Sequence, residues 1–322
     1  MTGARERVVL LEPIHEDGRA LLGRHHEVID LQGSADPRLA EALASAQGLV
    51  VRSTPVGADM LALAPGLRVL GRHGAGLDNI DLDAAAARGI RVVNTPRSNT
   101  ESVAEYVIAV MFSLLKRLDE TREALRRGAF LASNGSLPGQ VDRLGLVGRE
   151  LSGLRLGLVG AGAIGQAVAR RATGLGMTVA AYDPYVPAEA LQALGMVPRT
   201  SLDALVAGSD VVSLHVPGSP QNRGLISARE LALMPAGAIL VNAARGGLVD
   251  HEALIQAVRS GALGGAAVDV FDPEPPAAED PILHTVGIIA TPHMAAMTAE
   301  ALRRMSVDVA TAVASGLAAD PA

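Results

Sequence analysis

Three side chains in the second half of this 322-residue chain have types and settings suited to proton and hydride chemistry. Arg245 stands in VNAARGG, Glu274 in VDVFDPEPP and His293 in IIATPHMAA, each in a loop-like stretch after an apolar run that reads as a strand. Upstream, GLVGAGAIG is a dinucleotide-binding pattern with Asp183 following it. A cation, a carboxylate and an imidazole beside a bound nicotinamide are what hydride transfer to a 2-keto acid requires. The cation holds the substrate carboxylate and polarises the ketone, the imidazole donates a proton as hydride arrives, and the carboxylate keeps that imidazole charged.

Each residue also has a plainer reading. His293 alone, in Thr-Pro-His at a strand end, would be an ordinary loop or capping histidine; Glu274, in a rigid Pro-Glu-Pro-Pro loop, makes it a candidate acid by favouring the imidazolium form. Arg245 is either a surface arginine in a glycine turn or a ligand contact. It lies between Ala244 and Gly246-Gly247, where small residues admit a ligand, and its planar fork suits a carboxylate with an adjacent keto oxygen. Asp269 ends another apolar run, where it either anchors the nicotinamide carboxamide or caps a turn. His215, with Pro217 in the stretch LHVP, either lines an adenine pocket or is structural. Earlier in the chain, Gly71-Arg-His-Gly-Ala-Gly76 is a glycine-rich loop whose amides, over His73, Gly74, Ala75 and Gly76, could cradle a substrate carboxylate. Arg52, with Ser53 beside it, and His73 are further candidate substrate contacts.

The glycines of the nucleotide motif have separate duties. Gly160 permits a tight turn, Gly162 lets a pyrophosphate approach the backbone, and Gly165 lets helix and strand pack closely. The following helix N-terminus supplies unpaired N–H groups and a positive dipole end. Asp183, at the end of the next apolar run, suits the ribose hydroxyls and repels a 2′-phosphate. Pro184 and Tyr185 follow it rather than a basic residue, which favours NAD over NADP. The plain alternative for Asp183 is a turn aspartate before proline.

Positioning such groups requires a particular scaffold. Residues 7–11, 28–31, 48–52, 68–70 and 91–93 read as strands, with helices over 39–46, 58–63 and 83–88, so the first hundred residues form a βα-alternating unit with a mostly parallel sheet. Residues 99–127 read as one long helix, capped by Asn99 or Thr100 and stopped by Gly128, that crosses between domains. Residues 133–148 read as a surface loop. A second βα series follows, with strands over 154–159, 177–182, 211–215, 238–242, 266–270 and 288–290 and helices over 163–173 and 250–259. Ser227 and Glu230 have capping-box spacing. The last helix, 298–315, is expected to return to the first domain.

Composition narrows the function classes. Hydrophobic residues make up 49% of the chain and aromatics only 2%, so the cores must be built from Ala, Val, Leu and Ile, and base-stacking platforms for nucleic acid are not expected. A net charge of −6 gives no general attraction to nucleic acid or anionic membranes. With no cysteine there are no disulfides, thiolate nucleophiles, iron–sulfur clusters or cysteine-based zinc sites, and no metal is expected. The N-terminus lacks a signal-peptide core, and no apolar run approaches the ~18 residues of a membrane span. A cytoplasmic protein with no membrane partner is the expectation.

Taken together these motifs make the chain resemble the D-isomer-specific 2-hydroxyacid dehydrogenase family, of the phosphoglycerate dehydrogenase and hydroxypyruvate reductase kind. VVRSTPV, GRHGAGLDNID, VVNTPRSNTESVAEYV, LRLGLVGAGAIGQAVARRA, LVNAARGGLVDHEAL, GGAAVDVFDPEPP and ATPHMAAMT fall in family order over nearly the whole chain. The resemblance implies an α/β protein of two Rossmann- or flavodoxin-like domains with parallel sheets and an active site in the cleft between them. The substrate-binding domain would be discontinuous, residues 1–98 plus 296–322, and residues 99–295 would form the NAD-binding domain. It implies that Arg245, Glu274 and His293 are catalytic and that His73, Gly74, Ala75 and Gly76 face the substrate carboxylate. Ala163, Ile164, Asp183, Ala243 and Asp269 map to cofactor contacts; Pro217, Asn222 and Ala244 join that candidate set. The resemblance also implies a homodimer built on the nucleotide domains and a small 2-keto or 2-hydroxy acid as substrate. Phe130 replaces a tryptophan of many members, the loop 133–142 is longer than in the simplest ones, and Asn222 replaces a frequent threonine; these leave substrate choice open. Ending near Ala322, the chain is expected to lack the serine-sensing domain of some phosphoglycerate dehydrogenases. Sulfolactate-type enzymes and NAD(H)-sensing corepressor-like proteins are the competing readings, while Glu274 argues against formate dehydrogenase, whose members pair the histidine with glutamine.

Overall fold

A computed structural model describes residues 5–319; positions 1–4 and 320–322, assigned above to the first domain, lie outside the described residues. The described chain divides into two compact units, residues 5–102 with 296–319, and Val103–Ala295.

In the first unit β1 (Arg7–Leu10), β2 (Glu27–Asp30), β3 (Gly48–Val51), β4 (Val69–Arg72) and β5 (Arg91–Asn94) form one parallel sheet in the order β2-β1-β3-β4-β5. That is the flavodoxin-like order, with its switch point between β1 and β3. Alternation along β1 and beyond explains why both sheet faces are covered. Val9 and Leu11 enter one core with Leu49, Val51 and Leu70, while Val8 and Leu10 enter another with Val50, Val69, Val309, Val313 and Leu317. The last three belong to the helix Ala299–Ala318. Gly71 makes their approach possible, since a Cβ there would sit 2.5 Å from Val313 Cγ2.

The second unit contains β6 (Arg155–Val159), β7 (Thr178–Tyr182), β8 (Val197–Pro198), β9 (Val211–Leu214), β10 (Ala238–Asn242), β11 (Leu263–Val268) and β12 (Ile288–Ala290). The sheet is parallel, ordered β12-β11-β10-β9-β6-β7-β8, which is the doubly wound dinucleotide-binding order with a seventh strand added. Leu156, Leu158, Val211, Ile239 and Val241 fill one face, and Val159, Val212, Leu214, Leu240 and Val268 the other. Burying each such side chain contributes about 1.5–3 kcal/mol. The Ser227–Glu230 capping box is present.

Two local expectations fail for tertiary reasons. Residues 99–127 are not one helix but two, Thr100–Leu115 and Leu118–Arg126, broken at Arg117, which is left-handed (φ 53°). The break coincides with a returning strand of chain: Arg149 N donates to Leu115 O (2.7 Å), and Gly148 packs so closely there that a Cβ would lie 2.7 Å from the same carbonyl. Residues 133–148 are not a plain loop but contain the helix Leu137–Arg143. Buried Gln140 organises that segment by bonding Leu131 N, Leu131 O and Gly135 O.

Candidate active site

The chemistry-bearing residues of the second unit lie on loops after the C-terminal ends of its parallel strands, where such sheets bind ligands. After β6, Gly160 is left-handed (φ 96°), and a Cβ on it would lie 2.6 Å from His215 O at the switch point between β6 and β9. A Cβ on Gly165 would lie 2.4 Å from Gly160 O, so this glycine seats the helix Ala163–Gly174 against the turn. Gly162 differs from both: nothing lies within 4 Å of where its Cβ would be. That open space stands at the N-terminus of a twelve-residue helix, before the amides of Ala163 and Ile164. An anionic pyrophosphate fits there.

Asp183 performs the structural task of a turn aspartate while remaining able to receive a ribose. Its Oδ2 accepts Ala161 N and its Oδ1 accepts Tyr185 N, both at 2.9 Å. Each carboxylate oxygen has further acceptor capacity for a hydroxyl. After β9, His215 Nε2 lies 3.0 Å from Ser213 Oγ, and burial pushes the imidazole down to about 4. Asn222 Nδ2 donates to Pro217 O (2.9 Å), closing the turn between these two candidates. The residues present therefore fit a dinucleotide.

Arg245 is aimed by its neighbours' lack of side chains. Gly246 packs against the Phe271–Asp272 peptide so tightly that a Cβ would be 2.1 Å from Phe271 C and O. Gly218 leaves room for the arginine stem, since a Cβ there would be 2.8 Å from Arg245 Cγ. Asn242, wholly buried at the end of β10, braces this loop from below by accepting Ala244 N and donating to Arg245 O. Arg245 Nη1 donates to Ala244 O (2.6 Å). Close packing of Gly246 on Phe271 brings the arginine loop beside the segment that carries Glu274.

Glu274 and His293 meet: His293 Nδ1 lies 2.6 Å from Glu274 Oε1, with both side chains about half exposed. Glu274 Oε2 also accepts Phe271 N (3.4 Å), and the peptide bonds Asp272–Pro273 and Glu274–Pro275 are cis. The carboxylate can only accept, so Nδ1 carries a proton and Nε2 is the nitrogen left for a substrate. His293 is left-handed (φ 51°). Asp269 supports this turn. Fully buried, its carboxylate accepts Thr291 Oγ1 (2.6 Å), Met294 N (2.8 Å) and Ala295 N (2.8 Å). Of the two readings of Asp269, the turn-holding one matches these bonds.

The first-unit candidates also sit at strand ends. After β3, Ser53 N and Thr54 N both donate to Glu12 Oε1, Arg52 N donates to Glu12 Oε2, and Arg52 Nη1 reaches Pro13 O. Burial works to raise the Glu12 carboxyl, but these amide bonds outweigh it and hold it below the usual range. The loop after β4 has its Gly74 and Ala75 carbonyls committed to Thr95 N and Asn94 Nδ2. The His73 imidazole is turned inward. It is 4% exposed, lies 3.0 Å from Ser306 Oγ, and is pushed down to about 4 by burial and by nearby Arg52. Its imidazole is thus spent inside the unit. Nearby, Thr95 Oγ1, Asn99 Oδ1 and Thr100 Oγ1 are buried without a hydrogen-bond partner. Asn242, Glu12 and Thr291 are supporting residues that sequence reading missed; a polar residue ending an apolar run was their only local signal. Among the described residues there is no cluster of metal-ligating side chains and no helix long and apolar enough to cross a membrane.

Comparison with known proteins points to one enzyme family. Residues 108–295 match the family model for the NAD binding domain of D-isomer specific 2-hydroxyacid dehydrogenases. The chain is 42% identical to a D-3-phosphoglycerate dehydrogenase of Mycobacterium leprae over 315 residues, 97% of this chain but 57% of that protein. It is 44% identical to an (S)-sulfolactate dehydrogenase of Chromohalobacter salexigens over 272 residues, 84% of each. The crystal structure of a D-lactate dehydrogenase from Aquifex aeolicus, complexed with NAD and lactic acid, superimposes with a TM-score of 0.82 at 30% identity, covering 97% of this chain and 95% of that one. The chain spans about half the length of the phosphoglycerate dehydrogenases it matches.

Proposed function

Because the chain belongs to the D-isomer-specific 2-hydroxyacid dehydrogenase family, we propose that it interconverts a small 2-keto acid and its 2-hydroxy acid with NAD(H). The observation that carries this reading is the 2.6 Å pair of His293 Nδ1 and Glu274 Oε1. Bound NADH would supply hydride to the carbonyl carbon. Doubly protonated, His293 would give its Nε2 proton to the ketone oxygen; with only Nδ1 protonated, the same nitrogen would receive a proton from the hydroxy acid. Glu274 would hold the ring in that orientation. Arg245 would grip the carboxylate and polarise the ketone. Supplementary grip is assigned to Arg52, Ser53 and the His73–Gly76 backbone. Gly162, the first amides of the helix Ala163–Gly174 and Asp183 would hold the cofactor, with NAD preferred to NADP.

The substrate class we favour is hydroxypyruvate/glycerate or 3-phosphoglycerate, with sulfolactate as the alternative. A panel of 2-keto acids with NADH tests this directly. In the same assay His293→Ala should lower kcat by roughly 10²–10⁴-fold, the usual worth of a general acid, while NADH still binds. Near-normal turnover in that variant would refute the assignment.

We also propose a homodimer and a cytoplasmic location. Support for the dimer comes from a run of exposed apolar side chains in one segment of the second unit. Leu118, Leu125, Leu131, Leu137, Leu144 and Val147 are each 45–60% exposed. Exposed apolar side chains gathered within one segment support an association face there.

A further inference from the structure

The turn that carries His293 is gripped from behind by a residue outside the catalytic group. His293 is left-handed, a conformation disfavoured for residues with a Cβ, and it makes the amides of Met294 and Ala295 converge on Asp269. Thr291 Oγ1 joins them on the same carboxylate. Behind Thr291, the Tyr106 hydroxyl lies 2.6 Å from Thr291 Oγ1. Proton inventory sets the direction of this chain of bonds. A carboxylate already receiving two amide protons has only acceptor sites to offer. The one hydroxyl proton of Thr291 therefore goes to Asp269. That leaves its oxygen as an acceptor, and Tyr106 must donate. Burial pushes the Tyr106 hydroxyl up to about 12, so the tyrosine retains the proton it donates throughout the neutral range. Tyr106 is itself rigidly mounted, on the helix Thr100–Leu115, whose Val107, Val110 and Met111 lie in the core of the second unit.

We propose that Tyr106 is a positioning residue for His293, acting through Thr291 and Asp269. Its hydroxyl fixes which way Thr291 points, Thr291 and the two amides engage both oxygens of Asp269, and the carboxylate so bonded holds the left-handed turn that presents the imidazole. The kinetic consequence rests on the dehydrogenase reading above; the structural consequence does not.

Wild type, Tyr106→Phe, Thr291→Val and the double variant are compared in two assays. In steady-state reduction of the best 2-keto acid of the panel, Tyr106→Phe should lower kcat by roughly 3- to 10-fold, the size of one lost hydrogen bond, with KM for NADH unchanged. Thr291→Val should lower it further, and the double variant should be no worse than Thr291→Val alone, because the tyrosine acts through that hydroxyl. In amide hydrogen exchange, peptides over residues 290–296 should exchange several-fold faster in Tyr106→Phe while those over β6 to β10 are unmoved. Wild-type kcat in Tyr106→Phe, independent losses in the double variant, or unchanged exchange over 290–296 would each overturn the proposal. A wild type that reduces no 2-keto acid refutes the dehydrogenase reading instead, and the exchange assay then decides the role of Tyr106.

Discussion

Asparagine at position 269 is a nearly isosteric change whose cost can be worked from the bonds around it. Asp269 Oδ1 accepts Thr291 Oγ1 and Met294 N, and Oδ2 accepts Ala295 N. An amide keeps one acceptor oxygen and turns the other position into a donor. If the NH₂ replaces Oδ2 it faces Ala295 N; if it replaces Oδ1 it faces Met294 N. Thr291 can rotate to accept, but in either orientation one backbone N–H points at another donor. Asp269 is 0% exposed and Ala295 5%, so water cannot readily repair the loss on the Ala295 side. A buried unsatisfied group costs about 1–3 kcal/mol. The left-handed strain at His293 is present with either side chain and therefore adds nothing to the difference. Asp269→Asn should therefore destabilise the second unit by about 1–3 kcal/mol, and at roughly 2–4 °C per kcal/mol for a unit of this size the melting transition should fall by roughly 2–12 °C. Differential scanning calorimetry of wild type and variant measures it. A transition within about 1 °C of wild type would mean that the carboxylate does not hold this turn.

Other perturbations give separate checks. Asp183→Asn removes the charge that would oppose a 2′-phosphate, so the ratio of kcat/KM with NADPH to that with NADH should rise about tenfold, the effect of roughly 1.4 kcal/mol of lost repulsion; an unchanged ratio would leave Asp183 only its turn role. His73 titrates near 6.5 when unfolded but is pushed down to about 4 in the folded chain by burial. The unfolded state therefore takes up the proton first on acidification. Stability is full above about pH 6.5 and is lost as pH falls toward 4, by up to roughly 3 kcal/mol. Urea midpoints of wild type should drop more steeply between pH 7 and 4.5 than those of His73→Gln; parallel slopes would show that this histidine is not the source. For the association face, light scattering should give twice the chain mass for wild type and the single mass for Leu125→Glu with Leu137→Glu, and a monomeric wild type would remove the dimer from the proposal.

Much of the scaffold was legible because its signals are local. Val8, Val9, Leu10 and Leu11 announce a strand covered on both faces, and both faces are in fact filled, by different partners. Gly160 and Gly165 are readable because only glycine tolerates a φ of 96° or an approach of 2.4–2.6 Å to a neighbouring carbonyl, and Gly162 because its missing side chain leaves the helix N-terminus open. The 99–127 stretch misled because helical periodicity continues through Lys116 and Arg117, while the event that ends the first helix is a bond from Arg149, far along the chain.

At the site the division runs between which groups exist and what each is bonded to. Arg245, Glu274 and His293 could be singled out from residue type and loop setting alone, since a cation, a carboxylate and an imidazole advertise their chemistry without coordinates. Whether Asp269 serves the turn, whether the His73 ring faces inward, and which donors saturate Glu12 could not be read that way. Glu12 meets Thr54 across 42 positions and Asp269 meets Thr291 across 22. A side chain's chemistry is a local property of the residue, but a hydrogen bond's direction and a group's burial belong to the closed fold, because they depend on which distant donors the folded backbone brings within reach.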